Sequence, residues 1–120
     1  MPFISNQVDQ KIIKQFADSL GLNPNEIEVY VRDDPSNPMI RMKGHKEMKD
    51  AVLEAELSIA KVDKDTFIFQ GDITYHGRAP RKIEINHQVK GRAELLDVAL
   101  RRLLGQTKIK KRGIFSSYFG

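Results

Sequence analysis

Apolar residues recur every four positions near the start of the chain: Val8, Ile12, Phe16 and Leu20, with Ile13 and Ala17 beside them. That spacing puts them on one stripe of a helix. Ser5 and Asn6 are good N-cap types, and Asp9 suits the positive end of a first turn. Gly21 supplies a C-terminal stop and Pro24 prevents continuation. A helix is expected over residues 6–20. The period then shortens to two. From Glu26 to Arg32, Ile27, Val29 and Val31 alternate with Glu28, Tyr30 and Arg32, the pattern of a half-buried strand. The run from Asp33 to Pro38 is a dense turn signal, and Met39 to Lys43 alternates again with Ile40 and Met42 inward.

Residues 45–62 fit two patterns. As a helix, Met48, Val52, Ala55, Ile59 and Val62 share a face, and the composition favours helix. As a strand, Leu53, Ala55, Leu57 and Ile59 alternate with Glu54, Glu56 and Ser58. Two features favour the strand. Leu53 and Leu57 lie off the helical stripe, and the run from Val62 to Phe67 reads as a hairpin turn. Lys46 to Ala51 is then left as a short helical turn.

The next alternation is clearer. Phe67, Phe69, Ile73 and Tyr75 face one way, Ile68, Gln70, Asp72 and Thr74 the other, with Gly71 marking a bulge or a close backbone approach. After a loop from His76 to Pro80, Ile83, Ile85, His87 and Val89 alternate with Lys82, Glu84, Asn86 and Gln88. A closing helix is expected from Arg92 to Leu104. Its stripe is Ala93, Leu96, Leu100 and Leu103, widened by Leu95, Ala99 and Leu104, and Gly105 ends it. In this reading Arg101 and Arg102 sit in the last turn, where they suit the negative end of the macrodipole. The chain is thus expected to be α+β: an N-terminal helix, an antiparallel meander of four to five strands and a C-terminal helix, with both helices on one face of the sheet. Residues 1–105 form a single domain and residues 106–120 a basic, aromatic tail.

Composition narrows the function. At 120 residues one unstapled core is feasible. There is no cysteine, which excludes disulfides, thiolate metal sites and a Cys nucleophile, and suits a reducing compartment. No apolar run approaches the length of a spanning helix, and MPFISNQVDQ has neither a basic n-region nor an apolar h-region. A cytoplasmic protein with no membrane partner is the expectation. The net charge of +4 conceals an asymmetry. Residues 1–75 carry 9 Lys/Arg and 13 Asp/Glu, whereas residues 76–120 carry 11 and 3. One end of the chain is suited to a polyanion or an acidic partner.

No catalytic constellation accompanies this charge. His45, His76 and His87 lack metal-ligand spacing, and no phosphate-cradling Gly motif occurs. Asp33-Asp34 and Asp63/Asp65 fall in turns, and Glu54 and Glu56 on a polar strand face. The chain is expected to be non-enzymatic, without metal or cofactor. Lys90-Gly91-Arg92 heads the closing helix, whose N-terminal amides could meet an anion. The tail combines Lys108, Lys110, Lys111 and Arg112 with Phe115, Tyr118 and Phe119; cations meet phosphates and rings stack on unpaired bases.

The helix–meander–helix order with a basic, Ala/Leu-rich last helix loosely resembles double-stranded RNA-binding domains over Thr66 to Leu104. His76-Gly77-Arg78 does not supply the Gly-Pro-x-His loop of that family, and Lys90-Gly91-Arg92 only echoes the Lys-Lys pair that opens its second helix. The likeness therefore transfers no functional residue. The residues themselves suggest nucleic-acid binding, to DNA or RNA, through Lys90, Arg92, Lys108, Lys110, Lys111, Arg112, Phe115 and Tyr118. The alternative is a protein–protein assembly module, in which the tail docks on a partner protein or a sheet edge pairs across a homodimer.

Overall fold

The longest strand, β3 (Ala51–Asp63), lies at the centre of a five-stranded antiparallel sheet in a computed structural model of the protein, which describes residues 2–32 and 34–106. It is flanked by β2 (Met39–Met48) and β4 (Thr66–His76), and the edges are β1 (Glu28–Arg32) and β5 (Arg81–Lys90). Helix α1 (Asn6–Leu20) precedes the sheet and α2 (Leu96–Gln106) follows it. Every strand pairs with its sequence neighbour, so the order is the expected α+β meander between two helices.

Register explains which face is buried. Ile40 faces Ile59, Met42 faces Leu57, Ala55 faces Ile73, and Ile59 faces Phe69. Because side chains alternate across a strand, these rows fall on one side. Ile12, Phe16 and Leu20 of α1 and Leu96, Leu100 and Leu104 of α2 join the same core. Both helices therefore cover one face, and the other carries the polar positions. The three α2 leucines are almost fully buried. At ~1.5–3 kcal/mol each, their burial is comparable to the ~5–15 kcal/mol net stability of a whole domain, so α2 cannot lift off without unfolding the protein.

Residues 39–63 are one long hairpin. Met48 faces Ala51 across a turn at Lys49 and Asp50, so the short helical turn expected at 46–51 is absent. The strand reading of 51–62 is correct. Leu53, Ala55, Leu57 and Ile59 are buried, and burial of this alternating set overrides the helical preference of the composition. Lys46 falls on the inner face, and its Nζ donates to the Gly21 carbonyl oxygen at 3.3 Å. It thereby puts a cation at the C-terminal end of α1, where Gly21 takes the left-handed φ of 72°.

The N-terminal segment is bound into the core. Asp9, itself buried, accepts from the amides of Phe3 (2.7 Å) and Ile4 (3.0 Å), and Ser5 caps α1 by accepting from the Val8 amide at 3.1 Å. This positions the Phe3 ring edge-on to Phe67, with centroids 6.4 Å apart. At the other sheet edge, the Ser36 hydroxyl and amide both donate to Asp34 and hold its carboxyl below its ordinary value.

The end of the chain departs from expectation in three ways. Residues Ala93–Leu95 form one 3-10 turn, and α2 begins only at Leu96. Leu95 is exposed, because the 3-10 turn rotates it off the apolar stripe. Gly105 does not end the helix, which continues to Gln106.

Two glycines test this account in opposite directions. A Cβ on Gly71 would collide with the Glu56 carbonyl oxygen and lie 2.8 Å from Leu57 Cα, backbone that cannot move aside. Gly71→Ala is expected to lower unfolding stability by at least ~2 kcal/mol, in the range of overpacked cores. A Cβ on Gly105 meets no described residue within 4 Å. Gly105→Ala is expected to raise stability by ~0.5–1 kcal/mol through helix propensity. Urea denaturation of both variants measures these changes, and a destabilised Gly105→Ala would restore Gly105 as a helix stop.

Candidate nucleic-acid interface

Lys90 is the last residue of β5, opposite Thr66, and is exposed. The Gly91 amide donates to the Asp65 carbonyl oxygen at 2.8 Å, which ties the end of β5 to the β3–β4 turn. Arg92 leads into the 3-10 turn and lies 3.8 Å from Glu94, with its side chain 80% exposed. A pair so exposed contributes little and leaves the cation available. One of the amides available for the anion contact expected at the helix N-terminus is already in use. Gly91 has given its amide to Asp65, the α-helix starts four residues beyond Arg92, and Asp97 already stands in its first turn. Lys90 and Arg92 remain as surface cations at one corner.

Arg101 and Arg102 change meaning. With the helix extending to Gln106, its last turn holds no basic residue, and both arginines lie before it. The dipole effect fades beyond the terminal turn, so helix electrostatics does not account for them. Both are exposed, and neither has an ion pair with another described residue. The sequence places them on the polar side of α2 but gives them the wrong role, because Gly105 reads as a stop. Lys108, Lys110, Lys111, Arg112, Phe115, Tyr118 and Phe119 lie outside the described residues, as does all but Gln106 of the expected tail.

An acidic row crosses the open face of the sheet, flanked on that face by Arg41, Lys43 and Lys82. Glu56, Asp72 and Glu84 stand directly opposite one another across β3, β4 and β5. Arg41 approaches Glu56 at 3.6 Å and Lys82 approaches Glu84 at 3.8 Å. Asp72, in the middle, has no ion pair with a described residue and only a 3.5 Å contact from the Thr74 hydroxyl. Glu54 lies beside His76 at 3.9 Å. No group of three or more His, Asp or Glu is arranged to hold a metal ion among the described residues. This acidic row could not be read from the sequence, because its members come from three strands and meet only through register.

The charges of the whole chain divide sharply. Residues 1–106 contain 16 Lys/Arg and 16 Asp/Glu, so the entire net charge of +4 belongs to residues 107–120. No described helix is long and apolar enough to cross a membrane. Comparison of the chain with protein-family models, with curated proteins and with solved structures gives no match.

Like charges directly opposite on a sheet are destabilising. Asp72→Asn is therefore expected to raise stability by roughly 0.5 kcal/mol at low ionic strength, with the gain shrinking in about 1 M salt as the repulsion is screened. Thermal or urea unfolding at the two salt concentrations measures it. A loss of stability would show that Asp72 is held by favourable contacts.

Proposed function

We propose that the protein is a non-enzymatic, cytoplasmic nucleic-acid-binding accessory protein that acts through its C-terminal region. The observation that carries this reading is the division of charge: a body with equal numbers of acids and bases, followed by fourteen residues that hold the whole net positive charge. Lys108, Lys110, Lys111 and Arg112 are the phosphate contacts, and Phe115 and Tyr118 stack on unpaired bases. Lys90 and Arg92 are outlying contacts for a longer strand.

Four phosphate contacts predict a definite salt dependence. For a single-stranded oligonucleotide the slope of log K against log salt is about −3, from ~0.7 counterions released per contact. Fluorescence anisotropy with a labelled single-stranded oligonucleotide, from about 50 to 200 mM salt, measures it. Replacing Lys108, Lys110, Lys111 and Arg112 by Ala is expected to abolish the slope and most of the affinity. Replacing Phe115 and Tyr118 by Ala should weaken binding by roughly 1–3 kcal/mol per stacked base and leave the slope intact. Binding that survives the fourfold replacement, or that ignores salt, contradicts the proposal.

A further inference from the structure

We infer that β5 is a self-complementary dimerisation edge, on which a second copy of this chain pairs antiparallel to continue the sheet. The inference does not rest on nucleic-acid binding, although Lys90, an outlying contact in that reading, takes part in both. The two edges of the sheet differ. β1 is five residues long, whereas β5 is ten residues long with no proline and no register shift, and among the described residues pairs only with β4. Its outer side therefore presents a row of backbone donors and acceptors to which another strand can add.

The inner face of β5 shows that the helices stop short of this edge. Ile85 is buried and Val89 partly so, yet His87 between them is exposed, although it faces the fully buried Phe69 on β4. An adjoining strand would extend the inner face at this point.

The side chains of β5 select both the occupant and the register. In a symmetric antiparallel pair the twofold axis passes through one residue, and flanking residues face each other across it. With the axis at His87, Lys90 faces Glu84 of the second copy and Glu84 faces its Lys90. Asn86 and Gln88 face each other twice, amide to amide. On the inner side, Ile85 faces Val89 of the second copy and the reverse. Every flanking position from Glu84 to Lys90 thus meets a residue of matching chemistry.

Other registers do not match in this way. An axis at Asn86 puts Lys82 against Lys90 and Ile85 against His87. An axis at Gln88 sets Val89 against His87, and an axis at Glu84 opposes two carboxylates. An axis at Ile85 forms no opposite-charge pair. An axis at Ile83 pairs Lys82 with Glu84, but only five residues fit before Pro80, which has no amide hydrogen. The His87-centred register alone joins opposite charges, amides and apolar side chains in one ladder of seven residues. An interface of one strand pair falls in the small, weakly associating class, so a dissociation constant in roughly the micromolar range follows.

Sedimentation velocity of the full chain across a wide concentration range tests this. A monomer–dimer equilibrium is expected. Glu84→Lys or Lys90→Glu alone reverses one member of both ion pairs and should weaken the dimer at least about tenfold. The combined Glu84→Lys/Lys90→Glu variant restores both pairs and should regain most of the affinity, with circular dichroism confirming that each variant folds. The chain has no cysteine, so His87→Cys places one thiol of each copy directly across the axis. Mild oxidation should then link two copies, because opposed strand residues lie within disulfide reach. A monomer at every concentration overturns the inference, whether the edge is bare, covered by residues 107–120 or reserved for another protein. A dimer indifferent to the charge reversals overturns the register and with it the choice of β5.

Discussion

A five-stranded meander leaves two large faces, and this chain has apolar side chains enough to bury one of them. The rest of the structure depends on that constraint. β3 is central because it contributes Leu53, Ala55, Leu57 and Ile59 to the buried face and pairs on both sides along most of its length. Gly71 lets β4 approach β3 more closely than a side chain would permit. α1 and α2 supply the cover, and the N-terminal segment completes it through the carboxylate of Asp9 and the ring of Phe3. The opposite face, left to solvent, collects charge, and register alone decides which charges become neighbours.

Much of this was legible in the chain. The bounds of α1 follow from a four-residue apolar repeat between a Ser cap and a Gly stop, and the inward residues of all five strands follow from alternation. The long hairpin was harder. Lys49 and Asp50 carry no strong turn signal, and the residues around them are good helix formers, so local preference argued against the structure that burial selects. The same limit applies at the end of α2. A glycine near a helix end reads as a stop, but Gly105 has helical neighbours and no left-handed conformation, and the helix passes through it. Contacts set by register, such as Glu56–Asp72–Glu84, have no signature in a single sequence.

The candidate site was legible in charge but not in geometry. The basic excess of the C-terminal part is plain from composition, and so is its mixture with aromatic residues. The structure separates its members. Lys90 and Arg92 lie at the start of the closing segment, beside acids that already answer the helix dipole. Arg101 and Arg102 stand on the exposed side of α2, where helix physics does not account for them. The charge itself divides along the chain, with equal acids and bases through residue 106 and bases without acids beyond it.

The central claim is that the sheet organises the body while the C-terminal region meets the nucleic acid. The most direct measurement is a residue-resolved amide chemical-shift titration of the full chain with a single-stranded oligonucleotide. Perturbations centred on residues 107–120, with weaker ones at Lys90 and Arg92, are the predicted result. Perturbations centred on the open sheet face, at Arg41, Ser58, Gln70 and Asn86, with residues 107–120 unmoved, would contradict it.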